Sequence, residues 1–217
     1  MKTISQLAQL VRENKADQIL GEVTESPAIL TQVDDSGLPL GHLLALKKQL
    51  HLVEQQIDTD ALETIWDKLG WTLAHTAAAA GSADVLKKVL QENHHLFYWG
   101  DDQGRTPVHV AAQHRHLDQF EIEVPYLTAM DALYSTPLHA AALNSSLHQV
   151  ADSLTPEMLL VINLQGQSIL DLAPELSETN ESTPAKLRQT AWEARFIRDP
   201  ERRTVESVLQ HIGIRPK

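Results

Sequence analysis

The chain has 217 residues, with 18 Lys and Arg against 29 Asp and Glu, a net charge of −11, and no cysteine. That length suits one domain or one short solenoid. The acidic balance is poorly matched to nucleic-acid phosphates and anionic membrane surfaces. The missing cysteines exclude disulfides, a thiol nucleophile and a thiolate metal site. No apolar run approaches the roughly 18 residues that span a bilayer. The opening Met1–Leu7 soon meets Arg12, Glu13 and Lys15, so it reads without a secretory apolar core. The expectation is a cytoplasmic, monomeric chain with no membrane insertion and no nucleic-acid partner.

In chain order, residues 1–33 read as a degenerate first unit. Ile4, Leu7, Leu10 and Val11 are spaced for one helix, and Ile19, Leu20 and Val23 suit a short second one. A periodic pattern then begins. Asp34, Asp67, Asp101, Asp131 and Asn163 recur, and each stands eight residues before His42, His75, His109, His139 and Asp171. Those last five positions are separated by 33, 34, 30 and 32 residues. Gly37, Gly70, Gly104 and Gly166 follow three residues after the first, second, third and fifth markers, whereas the fourth has Tyr134. Asp-x-x-Gly is turn chemistry: the carboxylate bonds its own backbone and glycine accepts positive φ. Thr106-Pro107-Val108-His109-Val110-Ala111-Ala112 returns 30 residues on as Thr136-Pro137-Leu138-His139-Ala140-Ala141-Ala142. Thr-Pro is a good helix start, and paired alanines let helices approach closely.

The units are uneven. Val85, Leu86, Val89 and Leu90 form an amphipathic stripe suited to an outer helix. Glu121, Glu123 and Pro125 predict a shortened or irregular outer helix over 117–126. Pro156 predicts a short helix, a break and a further turn after Leu147. Residues 177–184 read as a polar loop. Ala185 to Ile197 is helical in pattern, with Leu187, Ala191, Ala194 and Trp192 as inward candidates. Arg202 to Ile212 reads as a last helix stopped by Gly213.

Periods of this length mark repeat architectures, and Thr-Pro-x-His with its Ala-Ala pair resembles the ankyrin-repeat family over Asp34 to about Leu176. The resemblance implies an all-α solenoid in which each repeat is a β-turn finger followed by two antiparallel helices. It gives a capping unit at 1–33, repeats at about 34–66, 67–100, 101–130, 131–162 and 163–176 onward, and a loop with a C-terminal helical cap at 177–217. It also implies that His42, His75, His109 and His139 hydrogen-bond within and between repeats as scaffold.

Little in the sequence points to catalysis. There is no H-E-x-x-H, no G-x-S-x-G elbow and no P-loop. His114 and His116 lie two apart and do not share a helix face. The expectation is no enzyme activity, no cofactor, no metal and no small-molecule substrate. The function implied is protein binding through the concave face. The variable positions there supply the candidate contacts: Trp66, Leu69, Trp71, Trp99, Asp102, Arg105, His114, Met130, Leu133 and Leu143. The apolar members lie where a neutral repeat would carry polar side chains, and exposed aromatic and apolar clusters mark interaction sites. Trp71 and Leu133 are the expected centre. The irregular Leu154–Leu160 stretch is similar to repeats of ankyrin effectors from intracellular bacteria, which suggests delivery to a host cell. A resident adaptor, or the interaction domain of a larger enzyme, is the alternative.

Overall fold

A computed structural model describes residues 2–56, 65–82, 98–119, 122–176 and 182–199. The expected Val85–Leu90 stripe and the Arg202–Ile212 helix lie outside the described residues. Among those described there are helices and turns, with isolated β-bridges but no extended strand.

Five fingers recur among the described residues, and each is built the same way. In the second, the Asp67 carboxylate accepts the Leu69 and Trp71 amides at 2.8 and 2.9 Å. Asp101 does the same for Gln103 and Arg105, and Asp131 for Leu133 and Ser135. Asp34 and Asn163 complete the series in the first and fifth fingers. One side-chain oxygen therefore satisfies two turn amides that would otherwise point at solvent.

Helices follow the fingers. α1 (Ile4–Arg12) opens the chain, capped by Thr3, which forms a reciprocal box with Gln6. α2 (Leu20–Glu25) follows a short 3₁₀ turn at Ala16–Ile19. The inner row is α3 (Leu40–Leu46), α4 (Leu73–Ala80) and α5 (Pro107–Gln113). After the one-turn α6 (Val124–Leu127), the row continues with α7 (Pro137–Leu143) and the short α8 (Ile169–Leu172). Its members stack in sequence, from α1 on α3 to α7 on α8. Ala77, Ala78, Ala111, Ala112, Ala141 and Ala142 are buried at the contacts, as their size requires.

The outer layer is thinner than a full helix pair per repeat wherever it is described. It consists of 3₁₀ turns at Leu50–Gln56, Leu117–Gln119 and Leu147–Ser153, the first kinked at Val53 and the last at Val150. α6 and the turn at Met158–Leu160 add one turn each. The expected irregularity around Pro125 and Pro156 is thus present. α9 (Ala185–Arg198) closes this end, packing on the turns at Leu147–Ser153, Met158–Leu160 and Pro174–Leu176. Leu187, Ala191, Ala194 and Phe196 are its buried face, and Trp192 is only half-buried against Phe196. Arg198 pairs with Asp171 at 2.6 Å, joining α9 to α8.

Candidate partner-binding surface

The repeated histidines position the fingers. Thr72, Thr106 and Thr136 each cap an inner helix, and the Nδ1 of His75, His109 and His139 accepts the backbone N–H of that threonine. Nδ1 is therefore the acceptor, so the proton sits on Nε2. That Nε2–H donates into the next repeat, from His75 to the Arg105 carbonyl at 2.8 Å and from His109 to the Ser135 carbonyl at 3.0 Å. His42 lacks a preceding threonine; its Nδ1 meets the Thr76 hydroxyl at 2.6 Å and its Nε2 the Ile65 carbonyl at 3.0 Å. His139 is the exception. Its buried Nε2 makes no well-formed hydrogen bond among the described residues, although the Gln167 and Val161 carbonyls lie nearby. Burial pushes all four imidazoles below their usual pKa of 6.5. They are scaffold, as the resemblance implied.

A second link between repeats has no counterpart in the sequence reading. Seven residues after the histidine, Ser82 donates to the Ala45 carbonyl at 3.3 Å and the His116 Nδ1–H donates to the Ala78 carbonyl at 3.2 Å. Gln49, at the same position, reaches back to Val11 and Asn14. These bonds satisfy carbonyls at the C-terminal ends of preceding helices. A polar residue recurring at that register was a signal available in the sequence.

The candidate contacts fall into two groups. Trp66, Leu69, Trp99, Met130, Leu133 and Leu143 are exposed, as are Asp102 and His114. Trp66 and Trp99 touch, with ring centroids 5.7 Å apart. Leu143, at the end of α7, is the most exposed of them at 65%. The fourth and fifth fingers are held side by side by the Leu164 amide, which donates to the Leu133 carbonyl at 3.0 Å. The same bond runs from Ala132 to Gln103 one finger earlier, at 2.9 Å.

Trp71 and Arg105 are placed otherwise. Trp71 is half-buried, stacks on His75, and donates its indole N–H to Asp101 at 3.0 Å. Arg105 clamps the same Asp101 oxygen through Nε and Nη2 at 2.9 and 2.7 Å. Burial would raise the Asp101 pKa, but the Arg105 guanidinium and the two turn amides outweigh it and hold the carboxyl below its usual range. Trp71, Arg105 and Asp101 therefore form one joint between the second and third fingers. Trp71 is not the free surface side chain that its register suggests. The reason is that its indole finds a carboxylate 30 residues away on the neighbouring finger.

His114 and His116 also depart from the sequence reading. α5 ends at Gln113, and Arg115 turns the chain with φ of 63°. The turn brings the two rings to 6.4 Å, nearly parallel. Among the described residues no group of three or more His, Asp or Glu could hold a metal ion. No described helix is long and apolar enough to cross a membrane.

Residues 42–122 match the family model for ankyrin repeats, in three copies. The chain contains ankyrin repeats. No curated protein matches it significantly. The fourth and fifth fingers lie beyond the matched span, yet they keep the turn bonds of the ankyrin fingers before them. The fold is an all-α ankyrin solenoid, and ankyrin repeats are generally protein–protein interaction modules.

Residues that the register did not single out join the exposed set. Val33 and Leu46 extend it to the first repeat, and Tyr134 sits in the fourth finger. Away from these, a cavity of about 340 Å³ lies between the fourth repeat and α9, lined by Ser145, His148, Glu175, Thr183 and Leu187 among others. Among the described residues both carboxylate oxygens of Glu175 are buried there without a well-formed hydrogen bond, although Ser145 lies nearby. Burial raises its pKa.

Proposed function

We propose that this chain is a non-catalytic binding module that holds a protein partner on its finger tips and the adjoining ends of the inner helices. The contacts are Trp66, Leu69, Trp99, Met130, Leu133 and Leu143, with Asp102 and His114 at polar positions between them. Trp71 and Arg105 serve indirectly, by fixing the spacing of the second and third fingers.

The observation that carries this reading is the apolar character of exposed side chains on fingers that hydrogen-bond to one another. Isolated exposed leucines need no explanation, but a run of them with two touching tryptophans does. Binding hot spots favour tryptophan, and a preorganised backbone lowers the entropic cost of association.

The doubly substituted Trp66→Ala, Leu133→Asp protein tests it. Both side chains are exposed, so circular dichroism and Tm should change little. Retention of the partner from lysate should fall by at least about tenfold, the loss expected for two central contacts. Full retention by the folded variant would remove this surface from the function. The similarity of the Leu154–Leu160 segment to repeats of ankyrin effectors is what suggests an effector delivered into a host cell. A translocation reporter fused to the chain tests that, and a reporter retained in the producing cell would assign the chain to a resident adaptor.

A further inference from the structure

The fourth finger breaks the pattern of its neighbours at one residue. Gly37, Gly70, Gly104 and Gly166 occupy the left-handed turn position with φ of 77, 71, 74 and 72°. Tyr134 takes the same position with φ of 55°. A bulky side chain in this region is strained, because its Cβ crowds the backbone, whereas glycine has none. The ring does not offset the strain by burial, since it is 55% exposed. Among the described residues its hydroxyl has no hydrogen-bond partner and its ring no aromatic neighbour. The turn requires the left-handed conformation but not a tyrosine, and Lys48, Arg115 and Ser145 adopt it too, so it is the exposed aromatic ring held there that points to a contact.

The surroundings indicate what the ring meets. Met130 and Leu133 flank it on its own finger, and Ile162 and Leu164 are exposed on the next. The Leu164–Leu133 backbone bond holds the two tips together. On the third and fourth fingers Asp102 is exposed and Asp131 half-buried, while Arg105 and the buried Asp101 neutralise each other. The patch is therefore apolar at its centre and acidic at its edge.

We propose that Tyr134 is kept in place of glycine as a partner-contact residue, and that the partner segment it meets presents apolar side chains beside lysine or arginine. This rests on the protein-binding reading above and adds the contact and the chemistry. Charge complementarity of this kind governs encounter and specificity more than raw affinity.

Two synthetic peptides of equal length, one of leucine and lysine and one of leucine and glutamate, are the probes, titrated into the full chain with amide shifts as the readout. The lysine peptide should bind at least about tenfold more tightly, shift the amides of residues 130–134 and 162–165, and weaken with salt. Tyr134→Gly should weaken that binding by about fivefold or more while raising Tm by roughly 2–4 °C, a combination a structural role would not give. Equal binding of the two peptides, shifts elsewhere on the chain, or unweakened binding by Tyr134→Gly would each overturn the inference. Loss of lysate partner in Leu133→Asp with wild-type retention in Tyr134→Gly would overturn it too, and leave the protein-binding reading standing.

Discussion

Trp71 and Asp101 stand 30 residues apart in the chain, and the indole N–H of the first donates to Oδ2 of the second at 3.0 Å. The acceptor is nearly inaccessible to solvent and also takes both Arg105 nitrogens. A hydrogen bond to a charged, buried acceptor contributes more than a neutral surface one. Trp71→Phe keeps the ring and removes the donor, so it should cost about 2 kcal/mol, seen as a fall in Tm of roughly 4–8 °C. Asp101→Asn strands the Arg105 guanidinium and should cost about 3 kcal/mol. A Trp71→Phe protein as stable as wild type would show that the bond contributes nothing.

The histidines should differ among themselves. His109 bridges to the Ser135 carbonyl, whereas His139 leaves Nε2 without a well-formed bond. Both accept a threonine amide at the helix start. His109→Ala should therefore destabilise more than His139→Ala, by about 1 kcal/mol, the typical worth of one net hydrogen bond. Urea unfolding of the two variants at equal m-value gives the comparison, and equal midpoints would contradict it.

Much of this scaffold was legible in the sequence. The Asp and Gly markers and the Thr-Pro-x-His starts are fixed by local backbone demands, so they recur at readable spacing. Side chains that act between repeats were harder to read. Trp71 occupies a register position that points outward in principle, and only the approach of Asp101 makes it part of the joint. The left-handed turns at Lys48, Arg115 and Ser145 were invisible beside Gly81, because only the last is a glycine. Tyr134 registered merely as a missing glycine, since exposure depends on how adjacent fingers sit.

Acid should loosen the solenoid in two steps. His42, His75, His109 and His139 have folded pKa values below 6.5, so the unfolded chain binds more protons just beneath that pH. Their contribution is fully present above the unfolded value and is lost as pH falls toward the folded ones. Asp171, bonded by Ser168 and Arg198 and lowered from 3.8 to about 2, adds a further loss below its unfolded value. Tm measured from pH 8 to pH 2 should be level at first, fall from about pH 6.5 downward, and fall again below about pH 4. A Tm that rises on acidification through pH 6 would contradict the tautomer assigned to these rings.

Glu175 has the opposite sign. Among the described residues its buried carboxyl makes no well-formed hydrogen bond, and burial raises its pKa, so ionising it at neutral pH opposes folding. Glu175→Gln should raise Tm at pH 8 and have little effect at pH 4, where the native carboxyl is protonated. A fall in Tm at pH 8 would mean that the carboxylate has a stabilising partner.

A protein partner seated on the exposed finger row lies within reach of Leu133 and away from α9. A photo-crosslinking amino acid placed at Leu133 measures this most directly, with a second at Arg188, exposed on α9, as the comparison. Position 133 should give one discrete adduct, absent from position 188 and lost when Trp66→Ala is added. An adduct from position 188 with none from position 133 would contradict it.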